Sequence, residues 1–369
     1  MTGPSSRPSI VVDARMIGSS GIGTYLRNTL PRIVQARPSW RFTLLGDRER
    51  LGEVGSADNV EVRKAGAPLY SLREQLAFAR LDLRRADLFW APHYNIPLTS
   101  TTRLVVTVHD IMHLALPEYR NRWLHRTYAT TMYTAVHRRA SAIICGSNFT
   151  RRELERVLGR DGGRATHVVH YGVATSWFDA APSARPMTPA RPYIVFVGLA
   201  KPHKNLVALL RAFATIQNRI PHRLVIVGSQ RDTLRTSDRR VDEAAAPSGR
   251  VEFAEYLELP ALQELVAGAD VLVQPSLYEG FGLPPLEAMA AGTPCLASNI
   301  EPLVEVCGDA AAYCDPRDVG DIAERLLELL QSQEMRQELR ARGRERARAF
   351  SWDRCATETL RVFEQALAS

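Results

Sequence analysis

Glu279 and Glu287 stand with seven residues between them in DVLVQPSLYEGFGLPPLEAMAAG, residues 270–292. The segment reads as an apolar strand, a loop with two glycines, two prolines and then a helix. A proline in the first helical turn gives up an amide that would be unpaired in any case, so Pro284 or Pro285 places the helix start. The backbone amides of Phe281, Gly282 and Leu283 then point out of that terminus, and with the helix dipole they suit an anion such as a diphosphate. Gly280 and Gly282 let such a ligand approach the backbone closely. Two carboxylates would repel a diphosphate, so they make sense there as acceptors for hydroxyls on either side of it, and sugars supply hydroxyls. The plainer alternative is a Glu287 that complements the helix dipole, worth about 0.3–1 kcal/mol, and a Glu279 solvated in its loop.

Other groups offer competing chemistry. His109 follows the apolar run LVVTV and forms H-D-I-M-H with His113. Histidines at i and i+4 read as a zinc hydrolase only on a helix, and the preceding strand pattern, Pro117 and an aspartate in place of glutamate argue against one. Gly18, Gly21 and Gly23 lie between the first apolar run and a helical pattern, but G-S-S-G-I-G departs from the G-x-G-x-x-G of a dinucleotide site. Asp47 stands near the distance expected of a ribose ligand, so a NAD enzyme is an alternative. Gly198 closes a strand pattern ahead of Lys204, and Asn205 is placed to cap the next helix.

Holding these groups requires strands and helices in alternation. SIVVDARM, RFTLLGD, DLFWAPH, LVVTVHD and SAIICGS are separated by helical patterns, and the first half closes near THVVHYGV. Short continuous apolar runs indicate strands buried on both faces, hence a parallel sheet covered by helices. Residues 174–192 carry Pro182, Pro186, Pro189 and Pro192 and read as a linker. The rhythm restarts with YIVFVG, a helix from about Asn205 to Asn218, HRLVIVGS, RVEFAEYL, DVLVQPS and PCLASN. Residues 321–367 are helical in pattern with a break near Phe350 to Trp352. The arginines before the break, Arg336, Arg340, Arg342, Arg344, Arg346 and Arg348, read as a solvated face, with an anionic membrane surface as the alternative.

A length of 369 residues fits two domains at roughly 150 residues each. With 45% hydrophobic and 24% charged residues the chain is neither disordered nor fibrous. No apolar run approaches the roughly 18–20 residues that span a bilayer, and Met1 to Ser9 lacks the apolar segment of a secretory signal, which sets the expectation of a cytoplasmic protein. The five cysteines are odd in number and form no CxxC pair, so reduced buried thiols are expected. A net charge of +7 suits anionic ligands. Nucleic acid is not expected, because neither interleaved aromatics nor a known module accompanies the arginines. Trp123, Leu124, Tyr128 and Met132, among the arginines of residues 119–139, read as core or as a docking surface for a lipid-linked saccharide at the inner membrane face.

E-G-F-G-L-P-P-L-E resembles the E-x7-E motif of the family 4 glycosyltransferases, which are retaining enzymes of the GT-B fold. Gly21-Ile22-Gly23-Thr24-Tyr25, Val108-His109-Asp110, Gly146-Ser147-Asn148, the stretch from Val197-Gly198 to Lys204-Asn205, and SWDRCATETL extend the resemblance over nearly the whole chain. It looks closest to bacterial mannosyltransferases of O-antigen or exopolysaccharide synthesis. The resemblance implies an α/β architecture of two Rossmann-like domains facing a cleft. Residues 1–173 would be the acceptor domain and 193–350 the donor domain, with the C-terminal helix, 351–369, crossing back to the first.

By the same resemblance Glu287 accepts from the ribose hydroxyls of the nucleotide, and Glu279 holds the donor sugar. Phe281, Gly282 and Leu283 bind sugar or phosphate, Lys204 beside Gly198 neutralises the diphosphate, and the loop of Gly21 and Gly23 lies near phosphate and acceptor. His109 hydrogen-bonds a donor-sugar hydroxyl, with Asp110 orienting its ring. Relatives often carry an arginine where Leu199 or His203 stands here, so Lys201 or a protonated His203 is the candidate second phosphate ligand. The chain lacks the D-x-D through which metal-dependent glycosyltransferases of the other major fold hold a diphosphate, and neither a metal nor another cofactor is expected.

The expected reaction moves a hexose, mannose from GDP-mannose, to a saccharide or polyprenyl-linked saccharide in bacterial surface polysaccharide synthesis, with peripheral contact at the inner membrane face. Attack is expected on the same face as departure, the leaving phosphate oxygen taking the acceptor's proton. A UDP-sugar-dependent transferase, a nucleotide-sugar epimerase of similar architecture and a non-catalytic sugar-nucleotide binding protein are the alternatives.

Overall fold

The computed structural model describes residues 7–64, 66–81, 83–116, 123–159, 165–181, 192–228, 241, 243–244, 249–254 and 257–369. The chain divides into two compact units, one made of residues up to Gly172 together with Ser351–Ser369, the other of Val173–Phe350.

In the first unit β1 (Ser9–Asp13), β2 (Arg41–Leu45), β3 (Val60–Arg63), β4 (Leu88–Ala91), β5 (Arg103–Val108), β6 (Ala142–Cys145) and β7 (Ala165–Val168) form a parallel sheet in the order β3-β2-β1-β4-β5-β6-β7. β4 and β6 are buried along their whole length, as continuous apolar runs dictate for strands covered on both faces. The edge strand β3 reads VEVR and alternates between half-buried and exposed positions, a pattern too short and polar to stand out in the sequence. The order reverses between β1 and β4, so the loops leaving their carboxyl ends diverge and open a crevice there.

Helix α1 (Gly21–Ala36) follows β1. The C-terminal helix, Trp352–Ala368, opens on Ser351, whose hydroxyl accepts from the amides of Asp353 and Arg354. It lies against α1, with Phe363 edge-on to Trp90 of β4 at 5.2 Å between ring centroids. Gly172 is where this unit's main segment meets that helix. A Cβ there would stand 2.1 Å from the Trp352 amide nitrogen and 2.4 Å from the Ser351 carbonyl carbon.

In the second unit β8 (Tyr193–Val197), β9 (Arg223–Val227), β10 (Val251–Ala254), β11 (Val271–Gln274), β12 (Cys295–Ser298) and β13 (Ala312–Cys314) form a parallel sheet in the order β10-β9-β8-β11-β12-β13. Its order reverses between β8 and β11. Phe196, Leu209, Phe213, Ile226, Leu326 and Leu329 belong to one core under the helices 206–216 and 319–331.

The C-terminal helical stretch has two interruptions instead of the single one expected. Besides the break at 350–351, Ser332 ends the helix 319–331 and caps the helix Gln333–Arg348 by accepting from the Met335 amide at 3.1 Å. In the arginine run Arg340, Arg342 and Arg348 are exposed, as a solvated face requires, but several of the arginines also cap carbonyls. Arg340 donates to Gly292 O at 2.7 Å, Arg346 to Val306 O at 2.8 Å and Glu305 O at 2.7 Å, and Arg336 to Leu329 O at 2.8 Å. Each of these carbonyls ends a helix, where the last turns lack intrahelical donors. The helix Gln333–Arg348 thus closes the C-termini of three others, Leu283–Ala291, Glu301–Cys307 and Val319–Gln331.

In the helix Trp123–Arg139, Met132 and Tyr133 are buried and Arg139 donates to Leu98 O at 2.5 Å, so these residues serve the core. The side chains of Trp123 and Leu124 fall outside the described residues. Among the described residues no helix is long and apolar enough to cross a membrane.

Candidate active site

In the second unit the site grows from the reversal of strand order. Gly198 follows β8 and Pro275 follows β11, so the loops carrying Lys204 and Glu279 leave neighbouring strands at the carboxyl edge of the sheet. There Lys204 Nζ donates to both oxygens of Glu279, at 2.7 and 2.9 Å. Ser276 Oγ donates to Glu279 Oε1 at 2.7 Å and Gln274 Nε2 to the same atom at 3.0 Å. Burial alone would raise the Glu279 carboxyl, but the charge and hydrogen bond of Lys204, then Ser276 and the nearby His203, hold it below the usual carboxylate range.

Glu279 is therefore not a solvated loop residue, being only 9% exposed, and its charge is met by Lys204 within the protein. Gln274 and Ser276 were not singled out from the sequence. Their signal is the polar pair that closes the apolar run of β11.

Asn205 departs from expectation. It begins the helix 206–216 in the left-handed region, φ 58°, and its side chain makes no cap. Its Nδ2 donates instead to Pro275 O at 3.0 Å and Pro316 O at 2.7 Å, tying the Lys204 turn to the loop after β11. Of the two candidates for a second phosphate ligand, His203 is buried beside the pair, while Lys201 is exposed ahead of the turn.

Helix α2 (Leu283–Ala291) starts with Pro284 in its first turn and Gly282 as its N-cap, as the prolines require. Gly282 sits at φ 111°, and a Cβ there would lie 2.5 Å from Leu303 Cδ2, so glycine is needed for both conformation and space. Among the described residues the amides of Gly282 and Leu283 meet no acceptor, while Phe281 is buried. Glu287 is the fifth residue of α2, beyond the first turn, where the dipole no longer explains it. It is half-buried, and burial pushes its carboxyl up to about 8.

That shift has a measurable consequence. A carboxyl whose folded value lies above its unfolded one costs nothing below about pH 4.5, where both states are protonated, and its penalty grows until pH passes about 8. Glu287→Gln is thus expected to stabilise the protein by on the order of 1–2 kcal/mol at pH 9 and by almost nothing near pH 4.5. Thermal melts of both proteins across that range check the sign; equal gains at both ends would refute the assignment.

In the first unit His109 follows β5. Its Nε2 must donate to Pro92 O, at 2.7 Å, because a carbonyl only accepts; Nδ1 then accepts from Tyr171 Oη at 2.6 Å. Burial lowers the imidazole to about 4, outweighing the opposing effects of Pro92 O and Asp110, so the ring is neutral at pH 7. Both nitrogens are engaged by protein atoms. Asp110 does not orient the ring by hydrogen bonding: its Oδ1 accepts from the Met112 amide at 3.0 Å. Being the next residue in the chain, it points into the following turn. His109 lies at a strand end and not on a helix with His113, which removes the geometry of the zinc reading.

Tyr171, missed in the sequence because it lies 62 positions away, packs over Gly146, where a Cβ would be 2.5 Å from its ring. It also stacks on Trp352 at 6.2 Å. Removal of its hydroxyl in Tyr171→Phe leaves Nδ1 without a donor. Turnover is expected to fall roughly tenfold, about 1.4 kcal/mol, with the imidazole NMR shifts changed; unchanged shifts would deny the contact a role.

The loop before α1 is shaped by Gly23, whose Cβ would lie 2.6 Å from Ile17 O, whereas space at Gly21 is open. Asp47 accepts from the amides of Glu49 and Arg50 and so caps a short helix, in place of the ribose contact of the NAD reading.

Residues 21–177 match the model of Glycosyltransferase Family 4, and residues 181–346 that of Glycosyl transferases group 1. The chain is 28% identical to the O-antigen chain mannosyltransferase B of Escherichia coli over 379 residues, covering 94% of this chain and 96% of that protein. It is 44% identical over 111 residues to the MMP alpha-(1->4)-mannosyltransferase of Mycolicibacterium hassiacum, 29% of this chain and 27% of the other. Among solved structures, sucrose-phosphate synthase from Thermosynechococcus elongatus superposes with a TM-score of 0.80 at 20% identity, over 98% of this chain and 100% of that one. Anabaena HepE in complex with UDP and glucose gives 0.74 at 17%, over 97% and 100%. With both halves matched, the chain belongs to the family 4 glycosyltransferases and has the GT-B fold.

Proposed function

We propose that the chain is a retaining hexosyltransferase that moves mannose from GDP-mannose to a saccharide or lipid-linked saccharide acceptor in bacterial surface polysaccharide synthesis. The observation that carries the reading is the Lys204–Glu279 pair at the carboxyl edge of the second sheet, beside a helix N-terminus whose Gly282 and Leu283 amides meet no acceptor among the described residues. Glu279 fixes the ammonium of Lys204 before any ligand arrives, so the cation is preorganised for negative charge developing on a departing diphosphate. The two amides serve the same charge. Glu287, protonated and half-buried, suits the ribose hydroxyls, and His109 stands as a rigid neutral ring in the first unit.

The mannose assignment draws support from the relatives named as mannosyltransferases. No enzymatic nucleophile is assigned; the acceptor hydroxyl attacks the anomeric carbon on the face the diphosphate leaves, and its proton passes to the leaving phosphate oxygen. Lys204 and the helix terminus take the place of a cation, so transfer is expected to persist in excess EDTA; loss of activity there, restored by a divalent metal, would overturn this part.

The donor is tested by thermal shift. A ligand at 100 times its dissociation constant stabilises by about 2.7 kcal/mol. GDP-mannose is expected to do so, while UDP-sugars and ADP-glucose at the same concentration do not. Proton NMR of the product reads the anomeric configuration, and an inverted linkage would refute retention.

A further inference from the structure

A second polar cluster lies in the first unit, at the carboxyl ends of β1 and β4 where the strand order reverses. Asp13 ends β1, and its carboxylate accepts from Arg15 Nε at 2.7 Å and His93 Nε2 at 3.0 Å. Arg15 also donates to Glu74 Oε1 at 2.5 Å, and Asn95 Nδ2 to Glu74 Oε2 at 2.8 Å. Asp13, Glu74, His93 and Asn95 are all buried. Two carboxylates share one guanidinium here. His93 adds no charge, because its Nδ1 accepts from the Asn95 amide and a single proton sits on Nε2. Apolar packing usually stabilises a fold as well as such a network does, so its retention at the crevice calls for another reason.

The rim supplies that reason. Tyr70 adopts φ 61°, a left-handed conformation that a bulky residue rarely takes, and it is held there by its amide donating to Glu74 Oε2 at 2.9 Å. The ring so placed is 42% exposed. Its neighbour is Tyr94, at 5.6 Å between centroids, and Tyr128 reaches in to donate to Asn95 Oδ1 at 3.2 Å. Tyr94 and the Met16 sulfur, which the Tyr70 hydroxyl meets at 3.8 Å, hold one side of the ring, and the strained backbone leaves its other face turned outward.

We propose that Tyr70, Tyr94 and Tyr128, set on the Asp13–Arg15–Glu74 network, form the subsite for a hexopyranose ring of the acceptor saccharide. The apolar C–H face of the ring would lie on Tyr70 and its hydroxyls would meet the tyrosine hydroxyls, which the buried network holds in place. A tyrosine combines the two surfaces such a ring needs. The assignment rests on the glycosyltransferase reading for the identity of the ligand, not for the existence of the site.

Tyr70→Asn removes the ring yet tolerates the left-handed backbone. With donor saturating, it is expected to raise the acceptor KM at least tenfold while the donor KM stays within twofold, and Tyr70→Phe, which returns the ring, recovers most of the loss. A second measurement needs no turnover. Saturation-transfer NMR with methyl glycosides of mannose, glucose, galactose and N-acetylglucosamine is expected to mark the ring C–H protons of at least one in the unsubstituted protein and none in Tyr70→Asn. Glycoside binding lost in the variant, in a protein that transfers no sugar, would sink the transferase reading and keep the subsite. Transfer with acceptor KM and NMR signals unmoved by Tyr70→Asn would overturn the subsite and leave the transferase reading standing.

Discussion

Glu279→Ala is expected to lower sugar transfer at least ~100-fold, about 2.7 kcal/mol of transition-state stabilisation. The carboxylate fixes Lys204 through both oxygens and also receives Ser276 and Gln274. Removing it frees the ammonium and leaves two buried donors without their acceptor, so both preorganisation and local order are lost. Glu279→Gln separates the two, since it preserves a carbonyl for Ser276 while giving up the charge. A double substitution with Lys204→Ala should cost much less than the sum of the single effects, because the two side chains act as one unit. Steady-state kinetics with circular dichroism as a folding control measures this; additive losses would show that the pair does not work together. His109→Ala should give a loss of similar size, by deleting the ring that Pro92 and Tyr171 hold in place.

The second large effect concerns stability. Gly172→Ala would put a methyl group 2.1 Å from the Trp352 amide nitrogen, and neither backbone segment can move aside as a flexible side chain would. Overpacking of this kind typically costs ~1–3 kcal/mol, and contact with backbone places it at or above the upper end. The expected result is a lowered melting temperature and a C-terminal helix, Trp352–Ala368, that becomes accessible to protease. Wild-type melting and unchanged cleavage would show that the junction yields more easily than its geometry implies. Gly146→Ala meets only the Tyr171 ring and should be the milder of the two.

Much of this architecture was legible because both sheets are parallel and buried, which turns their strands into continuous apolar runs. The runs from SIVVDARM to PCLASN correspond to strands, whereas β3 and the three-residue β13 escaped notice as short and partly polar. The start of α2 followed from Pro284 or Pro285, because local chemistry sets a helix terminus. What could not be read were bonds closed by tertiary approach. Asn205 looks like a helix cap and instead ties two loops. Arg336, Arg340 and Arg346 look like a solvated charged face until the helix ends they close are known. The Tyr171 hydroxyl meets His109 across 62 positions, a separation at which no spacing rule operates.

The seam at Gly172 and Ser351 also bears on biosynthesis. The first unit needs Trp352 and Phe363 for its interior, yet those residues leave the ribosome only after all of Val173–Phe350 has been made. Domains fold as units during synthesis, so the portion translated early must wait, with Tyr171 and Trp90 uncovered, while the portion translated later completes itself. A chain ended at Phe350 and released from the ribosome should therefore carry a finished second unit and an open first one, a natural client for a chaperone.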